Sequence, residues 1–297
     1  MSRINLKGVG VALITPFKQD GSVDYNALSR LVNYQLQNGT DYLVVLGTTA
    51  ETPTLNETEK KEIVDLVVTR VSGRIPIIVG EGGNNTNAIV ENLKHNDYHG
   101  IDAVLSVTPY YNKPSQEGLY HHYKAIAEAS PLPVILYNVP GRTGVNMSAE
   151  TTLRIANEFK NVIAIKEASG NISQMDAIIK RKPADFDVIS GDDGVTFPLI
   201  TLGAIGVISV IGNAFPKEFS RMVRLALEGD FASALSIHHS FNELFDLLFV
   251  DGNPAGVKCM LSMMGYIENV LRLPLVPTRI TTYEQIRNVL IELNIKC

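Results

Sequence analysis

Lys166 closes a run of four apolar residues, Val162–Ile165, and is followed by Glu167, small residues and Gly170. A lysine is almost never fully buried unless it is paired or employed; otherwise it snorkels from the strand end into water. Polar residues gather behind comparable apolar runs. Thr48 and Thr49 follow Gly47, Tyr110 and Tyr111 follow Thr108-Pro109, and Tyr137 is followed by Arg142. An amine ringed by phenols and hydroxyls, with no metal ligands beside it, suits Schiff-base chemistry on a ketone. Apolar surroundings disfavour the ammonium and favour the nucleophilic amine. The resulting iminium is an electron sink, so an adjacent carbon becomes an enamine nucleophile. Phenols and hydroxyls relay protons without placing a full negative charge beside it. Arg142 offers a two-pronged donor to a carboxylate. Thr48 and Thr49 offer hydroxyls and backbone N–H groups near a helix start, also suited to a carboxylate.

Each of these residues has a plainer use. Tyr111 and Tyr137 suit interfacial packing, and Gly47-Thr48-Thr49 suits a capped turn. Asp192 and Asp193 are read as caps of the helix that follows them. His121-His122 and His238-His239 fall in helical segments without the spacing of a metal site, so they are read as surface or packing residues and no metal is expected. Glu81 follows the third apolar run and could face the site, with nothing to specify a role.

The elements that must position these residues alternate regularly. Eight apolar, β-branched runs occupy 9–17, 41–49, 75–82, 102–111, 132–140, 161–169, 187–193 and 206–213. Short continuous apolar runs closed by turn-formers read as strands buried on both faces. Between them lie segments with a 3.6-residue apolar period, several opening on Ser, Thr, Asn or Asp. The pattern predicts an α/β fold, a (β/α)8 TIM barrel, whose chemistry lies at the carboxyl ends of the strands. A doubly wound open sheet is second, since no Gly-rich G-x-G-x-x-G turn follows the first strand. Residues 1–228 form the expected catalytic barrel. Residues 229–297, with helical periods over 231–249, 254–264 and 283–293, form an expected helical extension packed on it.

Composition narrows the function. A net charge of −5 without basic runs argues against a nucleic-acid partner. No apolar stretch approaches the roughly 18–20 residues of a membrane helix, and the N-terminal residues lack a signal-peptide layout. Two cysteines, Cys259 and Cys297, do not make a disulfide framework. The cytoplasm is the expected compartment.

Five motifs taken in order carry a resemblance. They are Gly47-Thr48-Thr49-Ala50-Glu51, Val107-Thr108-Pro109-Tyr110-Tyr111-Asn112-Lys113-Pro114, Tyr137-Asn138-Val139-Pro140-Gly141-Arg142-Thr143, Ile165-Lys166-Glu167-Ala168 and Ser190-Gly191-Asp192-Asp193. Together they resemble the dihydrodipicolinate synthase family of pyruvate-dependent aldolases, over nearly the whole chain. The resemblance implies a lyase that condenses pyruvate with aspartate semialdehyde, the first committed step of diaminopimelate and lysine biosynthesis, without a cofactor. It implies that Lys166 forms the Schiff base and that Tyr137 transfers protons through Thr48 to Tyr111, which reaches into a neighbouring subunit's site. Thr49 would hold the pyruvate carboxylate and Arg142 that of the second substrate. Gly191 and the carbonyl of Ile208 would line the pocket, in a homotetramer built as a dimer of dimers.

Sister aldolases acting on N-acetylneuraminate or 2-keto-3-deoxy sugar acids would share Lys166 and Tyr137. Arg142 argues for the dicarboxylate-forming synthase, because a sugar offers hydroxyls at that place. A non-catalytic small-molecule-binding barrel is the alternative of another class. Two departures stand out. Ala50 replaces a glycine of the family's turn, harmless unless that residue needs a positive φ. In the family's allosteric lysine region, which maps to Thr52, Pro53, Glu57, Lys60, Asn84, Ala88 and Tyr110, Glu57 and Lys60 stand in place of histidines and Ala88 in place of a carboxylate. Without that carboxylate the effector's ammonium loses a charge-assisted partner, so lysine inhibition is expected to be weak or absent.

Overall fold

The computed structural model describes residues 4–295; residues 1–3, where the N-terminal reading begins, and Cys297 lie outside them. Each expected apolar run yields a strand: β1 Gly8–Ala12, β2 Tyr42–Val45, β3 Ile77–Gly80, β4 Ala103–Val107, β5 Val134–Asn138, β6 Val162–Glu167, β7 Asp187–Ser190 and β8 Gly206–Ser209. All pair in parallel with their sequence neighbours, and β1 pairs with β8 to close the barrel. This is the (β/α)8 TIM barrel.

The intervening helices begin where side chains cap them. Asn56 and Glu59 form a reciprocal capping box on the helix Glu57–Val71, and Ser115, Ser148 and Asn171 cap the helices that follow them. The expected helix over 231–249 is broken into Phe231–Ser240 and Asn242–Leu247. The break falls at Phe241, whose buried ring packs on Phe215 and Phe219, at 5.3 and 6.3 Å between centroids.

Alternation along the strands separates two cores. Tyr42, Val44, Ile78, Leu105, Ile135, Tyr137, Ala164, Ile189 and Ile208 point into the barrel and pack together. Leu43, Val45, Val104, Val134, Leu136, Ile165, Val188 and Val207 point outward beneath the helices. Tyr42 fills the barrel where β1 has glycine: a Cβ on Gly10 would stand 2.0 Å from the Tyr42 ring. The chain after Glu228 packs on this barrel through the helices Ala255–Met263 and Ile280–Glu292, whose Val257, Met260, Leu261, Ile286 and Leu290 join the outer core.

Candidate active site

Period-two alternation fixes the direction of Lys166. Ala164 and Lys166 face into the barrel, while Ile165 and Glu167 face out. Strand register aligns Tyr137, Lys166 and Ile189 across β5, β6 and β7. Lys166 is only 6% exposed, and its Nζ lies 4.1 Å from the centre of the Tyr137 ring. Among the described residues it has no carboxylate within ion-pair distance. Gly191 closes over its stem, since a Cβ there would stand 3.1 Å from both Cγ and Cε of Lys166. Ile208 is buried in the same inner cluster as Tyr137.

Behind the strand, sequence reasoning gave Glu167 no use. Its buried carboxylate accepts hydrogen bonds from Asn138 Nδ2 at 3.1 and 3.2 Å, Gln174 Nε2 at 3.1 Å and the Ser169 N–H at 2.9 Å. Burial raises its pKa, and those donors oppose the rise. The network ties β5 to β6 directly behind Tyr137 and Lys166.

Thr48 and Thr49 occupy a single 3₁₀ turn, Thr48–Ala50, between Leu46 and Glu51, which both have positive φ (55° and 56°). The left-handed conformation thus falls at Glu51, leaving Ala50 to turn as an ordinary residue; the departure from glycine meets no φ requirement. Thr15 Oγ1 donates to the Ala50 carbonyl at 2.8 Å. Thr49 is buried, and its hydroxyl accepts from Asn253 Nδ2 at 3.0 Å. Glu51 pairs with the buried Lys258 and accepts from the Arg272 N–H at 3.0 Å. Burial brings the Lys258 ammonium down to about 8, against the opposing pull of Glu51. Asn253, Lys258 and Arg272 lie about 200 residues away in sequence, so no local spacing announced them.

A cavity of about 590 Å³ opens above this floor. Thr48, Tyr137 and Arg142 line it, with Thr52, Pro53, Lys60 and Tyr110 of the expected lysine region and Asn253 from the turn before the helix Ala255–Met263. Lys166, Thr49, Gly191 and Ile208 are not on its lining; Lys166 lies behind Tyr137, which is on it. Arg142, on the four-residue helix Pro140–Thr143, is exposed and has no ion pair among the described residues. Tyr111 stands away from the cavity, 90% exposed with φ 70°.

The remaining expectations divide. Glu57 is exposed and pairs with Lys60 at 2.8 Å. Asn84 donates to the Tyr110 carbonyl at 3.2 Å, while Ala88 is exposed on the helix Thr86–His95. Neither borders the cavity. Glu81 borders it by position, but its carboxylate is turned to Asn92 and Tyr98, and burial raises its pKa. His122 packs, as expected, with Nδ1 2.8 Å from Thr86 Oγ1; burial lowers it to about 4. The expectation for Asp192 and Asp193 is corrected. The helix Thr196–Leu202 has no side-chain cap. Asp192 instead accepts from Gly194 N within the turn, at 2.9 Å. Asp193 Oδ2 crosses to the end of β8 and accepts from Val210 N and Ile211 N at 3.0 and 2.8 Å. Two adjacent backbone donors at the end of β8 hold the carboxylate in place of the helix start.

Residues 5–293 match the dihydrodipicolinate synthetase family. The chain belongs to that family. It is 77% identical over 297 residues to 4-hydroxy-tetrahydrodipicolinate synthase of Parabacteroides distasonis, covering 100% of both chains. The corresponding enzyme of Phocaeicola vulgatus is 74% identical over the same span, again 100% of both. Among solved structures, dihydrodipicolinate synthase of Thermotoga maritima superposes with a TM-score of 0.95 at 47% identity, over 97% of this chain and 99% of that one. The family's motifs stand at the strand ends described above, on one face of the barrel.

Proposed function

We propose that the protein is a 4-hydroxy-tetrahydrodipicolinate synthase, a lyase that joins pyruvate to aspartate semialdehyde through a Schiff base on Lys166. One observation carries the reading: Lys166 is buried against the Tyr137 ring, which lines a cavity that also presents Arg142, and among the described residues neither cation has an ion-pair partner. The Lys166 amine adds to the pyruvate ketone carbon, and loss of water gives the iminium. Tyr137 takes a proton from the methyl carbon, giving the enamine, which attacks the aldehyde carbon of the second substrate. The substrate's own amino group then adds to the iminium carbon and displaces the Lys166 amine, closing the ring and regenerating the enzyme. Thr49 holds the pyruvate carboxylate and Arg142 the carboxylate of the semialdehyde, while Gly191 and the Ile208 carbonyl shape the pocket.

Thr48 passes protons between Tyr137 and Tyr111. The extreme exposure of Tyr111 and its positive φ suit a side chain projected into a second copy's site. The working assembly is a homotetramer of paired dimers, in the cytoplasm, with residues 1–228 as catalytic barrel and 229–297 as its helical extension. Lysine inhibits weakly or not at all. Lys60 is already paired with Glu57, and Ala88 offers no carboxylate; a submillimolar inhibition constant would overturn this.

The test is borohydride reduction with pyruvate, followed by intact mass and peptide mapping. The expected result is one pyruvyl adduct on Lys166. A folded, active sample without an adduct would reject every Schiff-base reading. Turnover of aspartate semialdehyde, compared with cleavage of sialic acid, separates the synthase from its sister aldolases.

A further inference from the structure

Behind the Thr48–Ala50 turn, the C-terminal segment brings charged groups against Glu51 that the chemistry above does not use. Lys258, on the helix Ala255–Met263, is fully buried, and its ammonium forms an ion pair with Glu51 in which neither side chain has accessible surface. The same ammonium donates to the Val270 carbonyl at 3.0 Å and lies 4.1 Å from the centre of the Phe17 ring. The second Glu51 oxygen accepts from the Arg272 N–H. Arg272 is itself held by Glu59, at 2.8 Å from Nη1 to Oε2, and stacks 4.4 Å from the same Phe17 ring.

A buried ion pair is a poor device for stability, because apolar residues of similar volume stabilise as well or better. It is a good device for fixing position. A carboxylate gripped by two buried donors has one location, whereas apolar neighbours allow sliding. Glu51 also has φ 56°, a strained conformation that persists only where the surroundings over-determine it. The residues fixed by that conformation are Thr48, Thr49 and Ala50, immediately before it. Asn253, from the same C-terminal segment, adds a direct bond to the Thr49 hydroxyl.

We infer that Lys258 is a positioning residue of the pyruvate site: it fixes Glu51, and through Glu51 the turn that presents Thr48 and Thr49 to substrate. The inference rests on the reading of Thr49 as the pyruvate-carboxylate group. The helical extension is thereby part of the substrate site, although Lys258 touches no substrate.

The experiment measures the pyruvate concentration that half-saturates borohydride trapping, together with the melting temperature, in the unaltered protein, Lys258→Met, Glu51→Gln and the double variant. The single variants are expected to lose thermal stability and to need about 10-fold more pyruvate, the usual scale for a lost supporting contact, while still reaching complete adduct at saturation. The double variant removes the uncompensated buried charge, so its melting temperature returns towards the original while the pyruvate requirement stays raised. Half-saturation unchanged in the single variants would overturn the inference. So would a double variant that recovers pyruvate affinity along with its melting temperature, since that is what a merely structural pair predicts. If Lys258→Met does not fold, Glu51→Asp carries the test, keeping the charge but shortening its reach. A several-fold rise is expected and an unchanged value is fatal. Absence of any adduct in the unaltered protein would instead reject the Schiff-base reading, so the two failures are distinguishable.

Discussion

Replacing Gly191 with alanine adds one methyl group where the fold leaves no room. The new Cβ would stand 2.7 Å from Ala168 Cβ and 3.1 Å from both Cγ and Cε of Lys166. Carbon atoms rest at about 3.5–4.0 Å, so the loop must retreat from Ala168 by roughly 0.9 Å and the lysine stem must give by roughly 0.4–0.9 Å. Overpacking of this kind costs about 1–3 kcal/mol of stability, which leaves a folded protein. A reacting group displaced by about 1 Å loses on the order of 100-fold in rate, or about 2.7 kcal/mol of barrier. The expected outcome for Gly191→Ala is therefore a turnover number about 10–100-fold down, with Lys166 trapping slowed in parallel. Removing the opposing methyl in Ala168→Gly/Gly191→Ala relieves the 2.7 Å contact and leaves only those with the flexible lysine stem, so about tenfold of the rate should return. Turnover is read by a coupled synthase assay, adduct formation by intact mass after timed borohydride quenching, and folding by thermal melting. A folded Gly191→Ala protein with turnover within twofold of the original would refute the placement of Lys166 beneath Gly191. Failure of the Ala168→Gly partner to restore any rate would refute the steric account of the loss.

Three further outcomes follow from the site. Arg142→Ala should raise KM for aspartate semialdehyde by about 10–100-fold, the scale of a lost charge-assisted bond, while the pyruvate needed to half-saturate trapping stays put; a shift in pyruvate affinity instead would place the guanidinium on the wrong substrate. Tyr111→Phe should lower turnover by about 100-fold. When it is co-assembled in equal amounts with inactive Lys166→Ala, the hybrid dimers should restore about a quarter of the original activity, and no recovery would mean that each Tyr111 serves its own chain. Burial pushes the Asp193 carboxyl up to about 6 from 3.8. The unfolded chain ionises first, so this group's stability contribution is complete below pH 3.8 and is lost as pH rises through about 6. Asparagine accepts the same two N–H groups without ionising. Asp193→Asn should therefore match the original melting temperature near pH 4 and exceed it by a few degrees at pH 7; a difference that does not change with pH would refute the buried-carboxyl account.

Much of this was legible in the chain. Eight apolar runs separated by capped 3.6-period segments point to a closed parallel barrel, because both faces of such a sheet must be covered, the outer by helices and the inner by closing the sheet on itself. The turn, tyrosine, arginine and lysine motifs all sit behind those runs, so the barrel brings them to one end. The break at Phe241 was not legible, since it depends on where Phe215 and Phe219 stand. Nor was the use of Asp193, where local capping and a long-range bond compete and only burial decides between them.

Sequence by itself settled which residues sit at the strand ends and what chemistry a lysine among phenols and an arginine can do, since residue type and local period are properties of the chain. It could not settle which face each strand turns inward. Parallel strands are apolar on both sides, so Ile165 and Lys166 differ in destination only through the register that pairs Lys166 with Tyr137 and Ile189. Nor could it show that Asn253, Lys258 and Arg272 brace the Thr48–Thr49 turn, because hydrogen bonds and ion pairs act over a few ångströms and carry no trace in a sequence separation of about 200 residues. Folding alone brings those groups together.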